Sequence, residues 1–484
     1  MTEIVECTSG SQALEHILRI YNDSLTKIRD SFSALISETP KECGEVIYRG
    51  ANYPYVGINV KLANVHIDAR LAFGVALEPG LYGTTVTRPD LFGAYFREQI
   101  DLLIEHHKVP VIVGVSNYPI PVPFALDPNS LEMNQDHLAA LKLDVTLPAL
   151  SRVNDDVANS VYQPTAGQEL PLSLFSAERV DYSLHRLYHY TGTATEHFQQ
   201  FILLTNYPRY VNEFIAFAQE ELSKESGYTA FVEPGDYITH HHIKSLAPKG
   251  ERLSNLPQMP AYHLKRADGQ GITFINIGVG PSNAKTITDH LAVLRPHCWL
   301  MLGHCGGLRR SQLLGDYVLA HAYVRDDHVL DEDLPLAVPI PAIAEVQVAL
   351  QEAVANITGL RGLEMKTRMR TGTVFTTDNR NWELRSRELF PLFQQTRTIA
   401  VDMESATVAG NGFRFRVPYG TLLCVSDKPI HGEIKLRGMA NNFYRDRIQQ
   451  HLKVGLETIR LLREGGVKSL HSRKLRGFDE PPFR

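Results

Sequence analysis

The stretch Thr398-Ile-Ala-Val-Asp402-Met403-Glu404-Ser405-Ala406-Thr-Val-Ala409 reads as an apolar strand that stops on acids and turns directly into a helix. β-Favouring residues, then polar side chains, then small apolar residues make the change of period that marks a strand–turn–helix unit. The same signature recurs on both sides of it. Phe201-Ile-Leu-Leu ends in Thr205-Asn206-Tyr207, and Ile272-Thr-Phe-Ile-Asn-Ile ends in Gly278-Val-Gly280-Pro-Ser282-Asn283. Trp299-Leu-Met-Leu ends in Gly303-His304-Cys305-Gly306-Gly307, and Thr373-Val-Phe375 ends in Thr376-Thr-Asp378. Thr421-Leu-Leu-Cys-Val ends in Ser426-Asp427-Lys428-Pro429. Repetition of this unit predicts an α/β domain over residues 196–484, with a largely parallel sheet and crossover helices. Ligands of such sheets sit outside the carboxyl ends of the strands, so the polar endings are expected to share one cleft.

Upstream the pattern is different. Leu14, Ile17, Leu18, Tyr21, Leu25, Ile28, Phe32 and Leu35 keep helical spacing, and Ser11 is the expected cap. Gly44–Gly57 reads as turns, and Tyr55–Gly83 as several short strands. Thr87-Arg88-Pro89-Asp90 opens a second helix with proline in its first turn. Val109–Val115 is a further strand. Residues 150–195 are polar and read as a connector, with a helix near Ser176–Leu187. The expected organisation is therefore a smaller N-terminal α+β domain with connector over 1–195, followed by the larger domain over 196–484.

The composition of the 484 residues narrows the function classes. With 43% hydrophobic and 21% charged residues, the chain has the apolar content to build a core. A formal net charge of −5 argues against nucleic acid as a main partner. No segment approaches the roughly 20 consecutive apolar residues of a membrane span. The N-terminus lacks a basic region followed by an apolar block, so a cytoplasmic location is expected. The five cysteines are Cys7, Cys43, Cys298, Cys305 and Cys424, scattered without CxxC spacing, as for free thiols.

Two carboxylates stand out at the strand ends. Glu404 and Asp427 each follow an apolar strand, where an unpaired carboxylate is costly to bury unless its pKa rises or a ligand hydrogen-bonds it. Such a pair suits general-acid and hydroxyl-binding work in glycosidic cleavage. Helix capping or pairing with a nearby cation is the commoner explanation of each at this point. Gly278 and Gly280 permit close backbone approach to a ligand, and Ser282 is positioned to cap the helix that follows. Their spacing does not fit the dinucleotide fingerprint. Cys305 beside His304 is a poor nucleophile–base couple, because neighbours on a strand face opposite ways. Cys305 and Cys424 are expected to be packing residues. The triplet His240-His241-His242 lacks metal-ligand spacing, and no metal is expected. Arg209, Arg380, Lys428 and Lys435 lie near strand ends, where a phosphorylated substrate needs one or two cations.

Taken together, Gly278-x-Gly280-x-Ser282, Gly303-x-Cys305-Gly306, Val401-Asp-Met403-Glu404-Ser-Ala and Val425-Ser426-Asp427 resemble, in this order, the motifs of the purine nucleoside phosphorylase and nucleosidase superfamily. With Asn206-Tyr-Pro-Arg-Tyr, Thr376-Thr-Asp-Asn-Arg-Asn-Trp382, the N-terminal unit and the ending Leu475–Arg484, the chain is similar over nearly its full length to the AMP nucleosidase family. The resemblance implies a phosphorylase-like mixed sheet flanked by helices. It also implies hydrolysis of AMP to adenine and ribose 5-phosphate. It assigns Asp427, with Ser426 beside it, to N7 of adenine, and Glu404 to the ribose hydroxyls, with Met403 packed on the sugar.

Phe375 or Trp382 are the expected stacking partners of the base. Asn206, Gly278, Gly280 and His304 are expected to line the pocket, with Arg209, Arg380 and Lys428 as candidates for the 5′-phosphate. Phosphorylases of the superfamily carry an arginine where this chain has Met301, and a serine where it has His304. Methionine cannot bind an oxyanion, so water is the expected nucleophile. The resemblance also implies no cofactor for the chemistry, a homo-hexamer, activation by MgATP and inhibition by phosphate. Thr84-Thr-Val-Thr-Arg88 is a candidate anion site at a helix start. The rival readings are a phosphorylase or nucleosidase for adenine nucleosides, and a non-catalytic nucleotide sensor.

Overall fold

The computed structural model describes residues 4–37, 51–61, 73–126, 146–165, 167–241, 246–433, 441–470 and 475–484. Two compact units divide the chain: Met1–His185 together with Gly477–Arg484, and Arg186–Arg476. The division falls ten residues before the expected boundary at 195/196, and the last eight residues belong to the first unit.

The first unit contains β1 (Val5–Cys7), α1 (Gly10–Ser37), β2 (Asn52–Val60), β3 (Gly80–Thr85), α2 (Pro89–His107), β4 (Val111–Pro119), the short α3 (Val122–Ala125) and β5 (Leu170–Pro171). Its sheet has the order β1-β4-β2-β3-β5. The apolar stripe of α1 supplies Tyr21, Ile28 and Phe32 to a cluster with Tyr53, Ile120 and Val122. The cap of α1 is Ser9 rather than Ser11, its hydroxyl accepting the Gln12 N–H at 3.2 Å. Asn52–Gly57 is strand rather than turn. Pro54 is absorbed by a register shift against β4, and Gly57 leaves room for the Tyr55 ring, which a Cβ would meet. The expected strands between Lys61 and Phe73 lie outside the described residues. The C-terminal tail is held by backbone bonds from Gly74 to Pro482 and from Phe483 to Leu172. The division between the units falls within α4 (Ala177–Thr191).

The second unit is built on β6 (Phe201–Thr205), α5 (Arg209–Leu222), β7 (Ala230–Glu233), β8 (Tyr237–His240), β9 (Ala261–Lys265), β10 (Ile272–Asn276), α6 (Pro281–Leu291), β11 (Cys298–Gly307) and β12 (Tyr317–Asp326). It continues through α7 (Ala344–Thr358), α8 (Gly362–Arg368), β13 (Met369–Thr377), α9 (Ser386–Gln395), β14 (Thr398–Asp402), α10 (Ser405–Arg414), β15 (Tyr419–Asp427) and α11 (Asn441–Glu464). The sheet order is β14-β13-β12-β15-β11-β6-β10-β9-β7-β8. The strands read from the apolar runs pair in parallel as β10–β6, β6–β11, β11–β15 and β13–β14. β12 runs antiparallel to β15, and β9 antiparallel to β10, so the sheet is mixed.

An additional antiparallel pairing of β14 with β11 closes β11, β15, β12, β13 and β14 into a ring. Cys305, Val318, Ala320, Val374, Ala400, Leu423 and Val425 pack together there. Cys305 is thus a core residue, and Cys424 is buried in β15. Burial pushes the Cys424 thiol up to about 12. Among the described residues no helix is long and apolar enough to cross a membrane.

Candidate active site

β6, β10, β14 and β15 end on polar residues and β11 on glycines, and contacts among these strand ends and the turns that follow them define the site. Glu404, the N-cap of α10, is fully buried. Its Oε1 accepts the backbone N–H of Gly280 at 2.6 Å, and its Oε2 accepts Nδ2 of Asn206 at 2.7 Å. The ends of β6, β10 and β14 therefore meet at one carboxylate. Gly280 reaches it through a backbone at φ +117°, a conformation that side-chain-bearing residues rarely adopt, and Gly278 lies at φ +71°. Gly280 itself is the N-cap of α6 with Pro281 next, so Ser282 does not cap that helix. The N–H of this N-cap residue serves Glu404.

Asp402 shapes the turn that presents Glu404. Its Oδ2 accepts the backbone N–H groups of Glu404 at 3.3 Å and Ser405 at 2.8 Å, and the Ser405 hydroxyl. Its Oδ1 accepts Thr376 Oγ1 at 2.6 Å, while that same hydroxyl oxygen accepts the Ala406 N–H at 2.9 Å. Burial raises the pKa of both acids, and the charge of Asp402 adds to the rise at Glu404, which is pushed up to about 8. Asp402 receives more donated hydrogen bonds, so of the two acids Glu404 is the one that holds a proton to the higher pH.

At the end of β15 the Ser426 hydroxyl donates to Asp427 Oδ1 and lies 3.3 Å from the Cys305 carbonyl. Asp427 pairs with Gly306 across a bulge in the β11–β15 ladder. A Cβ on Gly306 would sit 3.6 Å from both the Trp382 indole and Pro429, which places the indole over this glycine. Met301 is fully buried, and its Cε lies 3.0 Å from the Cβ position of Gly303, filling the floor between β6 and β11. The His304 ring is 5.0 Å from Tyr207 and 5.7 Å from Tyr210. Met403 is partly exposed between the two acids.

Two of the other expected site residues, Phe375 and Lys428, are engaged within the protein. Phe375 is fully buried, 5.0 Å edge-on from Phe393 and clustered with Leu308, Leu389 and Val401. It is core, in a cluster that also contains Trp382. Lys428 is buried and engages Glu433 at 2.6 Å, so its charge is already paired. Arg209 is exposed at the start of α5, 5.8 Å from the Tyr207 ring, and Arg380 is exposed after β13. Lys435 and His242 lie outside the described residues. His240 ends β8, and His241 Nε2 contacts the Lys224 carbonyl at 2.7 Å.

The threonines of the candidate anion site are engaged internally. Thr85 Oγ1 accepts the Ala177 N–H, Thr87 Oγ1 donates to Asp181, and Arg88 pairs with Asp90. Sequence reasoning missed the roles of Asp402 and Thr376. The Asp-x-x-Ser spacing before a helix was the available signal for the first.

A mixed sheet carrying a buried carboxylate fixed by a glycine-loop amide, with a Ser-Asp pair two strands away, defines a nucleoside-phosphorylase-type domain. Residues 244–460 match the family model described as "Phosphorylase superfamily", and residues 12–169 match "Bacterial AMP nucleoside phosphorylase N-terminus". The chain belongs to the AMP nucleosidase family: it is 49% identical to the AMP nucleosidase of Escherichia coli strain K12, over 98% of both chains. A 5′-methylthioadenosine/S-adenosylhomocysteine nucleosidase of Desulfotalea psychrophila is 24% identical, over 44% of this chain and 92% of that one. The crystal structure of AMP nucleosidase from Bacteroides thetaiotaomicron is 29% identical, covers 59% of this chain and 98% of its own, and superposes with a TM-score of 0.44.

Proposed function

We propose that this chain hydrolyses the N-glycosidic bond of AMP, giving adenine and ribose 5-phosphate. The observation that carries the reading is the buried Glu404, clamped by Gly280 N–H and Asn206 Nδ2, with Asp427 across the intervening strand β11. Adenine leaves poorly as an anion, so Asp427 donates a proton to N7 as the C1′–N9 bond stretches. The ribosyl group then gains oxocarbenium character. An anionic Glu404 at its hydroxyls stabilises that charge in a site screened from water. Met301 fills the place where a phosphate nucleophile needs a cation, which favours water.

The 5′-phosphate falls to Arg209 and Arg380, two exposed cations near strand ends. Trp382, although packed in the same cluster as Phe375, reaches Gly306 with its indole edge and is the remaining candidate against the base. Product analysis tests the reading. Adenine and ribose 5-phosphate formed from AMP in phosphate-free buffer support it. A strict need for phosphate, yielding ribose 1,5-bisphosphate, makes the chain a phosphorylase. Tight AMP binding with no adenine in either buffer makes it a sensor.

The resemblance brings further parts to the proposal: a cytoplasmic homo-hexamer, activated by MgATP and inhibited by phosphate. Sedimentation of the full chain and adenine release titrated with MgATP or phosphate test these. The first unit has a cavity of about 510 Å³ lined by Tyr55, Thr84, Tyr118, Arg152, Glu169 and Glu178. With one guanidinium against two carboxylates, it suits a nucleoside triphosphate poorly unless the metal ion accompanies it.

A further inference from the structure

A hydrolase of this kind needs a group that holds the attacking water on the face of C1′ opposite the departing base. We infer that this group is Asn206, whose side-chain oxygen accepts a hydrogen bond from the nucleophilic water; the inference rests on the AMP hydrolysis proposed above. With Glu404 in the carboxylate form that the reaction requires, its oxygens only accept, so donation from Nδ2 to Oε2 at 2.7 Å fixes which way the amide points. The other end, Oδ1, is then turned away from the carboxylate. Among the described residues Oδ1 accepts no hydrogen bond, yet it is not sealed from solvent. It lies 3.3 Å from the Cβ position of Gly303, in a recess that exists because Gly303 has no side chain. The Met301 methyl closes the bottom of that recess. The space is therefore small, bears one oriented acceptor, and offers an anion nothing. A bound water needs at least two polar partners: Asn206 Oδ1 supplies one, and the ribosyl group of the substrate supplies the other.

The position is also right along the sheet. β11 separates β15, which carries Asp427, from β6, which leads into Asn206. Two strand spacings, roughly 10 Å, separate acid from amide, and the purine and C1′ lie between them with N9, C1′ and the attacking oxygen in line. The step balances without a strong base. The C1′–N9 electron pair leaves with the purine, the Asp427 proton goes to N7, and neutral adenine departs. The water oxygen bonds C1′, and the proton it sheds restores Asp427 through solvent. Asn206 orients the water and takes no proton.

The test uses the full-length chain and its Asn206→Ala and Asn206→Asp variants, with AMP in 2 M methanol. The wild type is the reference: if it releases no adenine, the proposed function fails and the water site with it. Given an active wild type, Asn206→Ala is expected to lose about 100-fold in kcat. Its affinity for a non-hydrolysable AMP analogue should fall by much less than kcat, since only the support of Glu404 is lost in binding, and the share of methyl riboside 5-phosphate among its products should rise. Asn206→Asp keeps an acceptor oxygen and should retain more kcat than Asn206→Ala, although it sets a like charge against Glu404. The inference is overturned if analogue affinity falls in step with kcat, if Asn206→Asp is the worse variant, or if the methanol share is unchanged. Any of these would reduce Asn206 to a support for Glu404.

Discussion

The backbone N–H of Glu404 donates to the side chain of Asp402 at 3.3 Å, so two buried acids share a single turn between β14 and α10. Asp402 is committed to holding that turn through Ser405 and Thr376, whereas Glu404 faces the amides of Gly280 and Asn206. Two negative charges this close in a dry site oppose each other. The one with fewer donors keeps a proton to higher pH.

A pH dependence follows. Glu404 acts as a carboxylate, and in the free enzyme its pKa stands near 8 because of burial and Asp402. kcat/KM for AMP is expected to rise with pH through a midpoint close to 8, since this ratio reports the free enzyme. Glu404→Gln should remove that limb and lower kcat/KM by about 100- to 1,000-fold. A profile flat between pH 6 and 9 in the wild type would assign the proton elsewhere.

Removing Asp402 separates its two effects. In Asp402→Ala the repelling charge is gone, so the midpoint of the limb should move below 8. The turn loses its acceptor, leaving the N–H groups of Glu404 and Ser405 unpaired in a buried place. Each such orphan costs about 1–3 kcal/mol, so a fall of several degrees in Tm is expected. Thr376→Val should share the loss of stability with a smaller change in the pH midpoint, because no charge is removed.

At the other end of the cleft, Asp427→Ala should abolish most adenine release, with kcat falling about 1,000-fold or more. Affinity for an unreactive AMP analogue should fall far less. Ser426→Ala removes only the hydroxyl donated to Asp427 and should cost about tenfold. A non-catalytic sensor predicts that neither change matters beyond binding. Stopped-flow adenine release beside equilibrium binding distinguishes the cases.

Gly280 is the residue whose backbone, rather than side chain, does the work. At φ +117° any side chain strains the loop, although no atom within 4 Å would collide with a Cβ. Gly280→Ala is therefore expected to turn its N–H away from Glu404 at a cost of about 1–3 kcal/mol. KM for AMP should rise by tenfold or more while the global Tm changes little. A crystal structure showing the N–H still on Glu404 would remove the basis for this expectation.

Much of the second unit was legible because its strands are apolar to their last residue and then switch abruptly to polar ones. Phe201–Thr205 and Tyr419–Asp427 show this most clearly. The pairing of Asn206 with Glu404 was not legible, since the partners stand 198 positions apart and neither carries a local pattern naming the other. Nor was the ring closed by β14 against β11, because strand periodicity is silent on which strand pairs with which. Phe375 illustrates a different limit. An aromatic residue at a strand end looks the same in sequence whether it faces a cleft or, as here, Phe393 and the core. In the first unit, Pro54 and Gly57 read as turn residues, yet the neighbouring strands accommodate both.

The last expectation concerns stability in the first unit. Asp181 is almost completely buried, where its carboxylate accepts the hydroxyls of Tyr53 at 2.7 Å and Thr87 at 2.9 Å. Burial outweighs those bonds and pushes its pKa from the ordinary 3.8 to about 7. The folded chain thus holds a proton that the unfolded chain releases between about pH 4 and 7. The stability conferred by that proton is fully present below pH 4 and is lost as pH rises toward 7. Above pH 7 the deficit is on the order of 4 kcal/mol at most. Asp181→Asn keeps an acceptor for both hydroxyls and carries no charge. It should raise the stability of the first unit at pH 8, with little effect at pH 4. Denaturant unfolding at the two pH values, read by exchange protection of first-unit amides, checks this. An equal gain at pH 4 and pH 8 would mean that Asp181 is charged throughout.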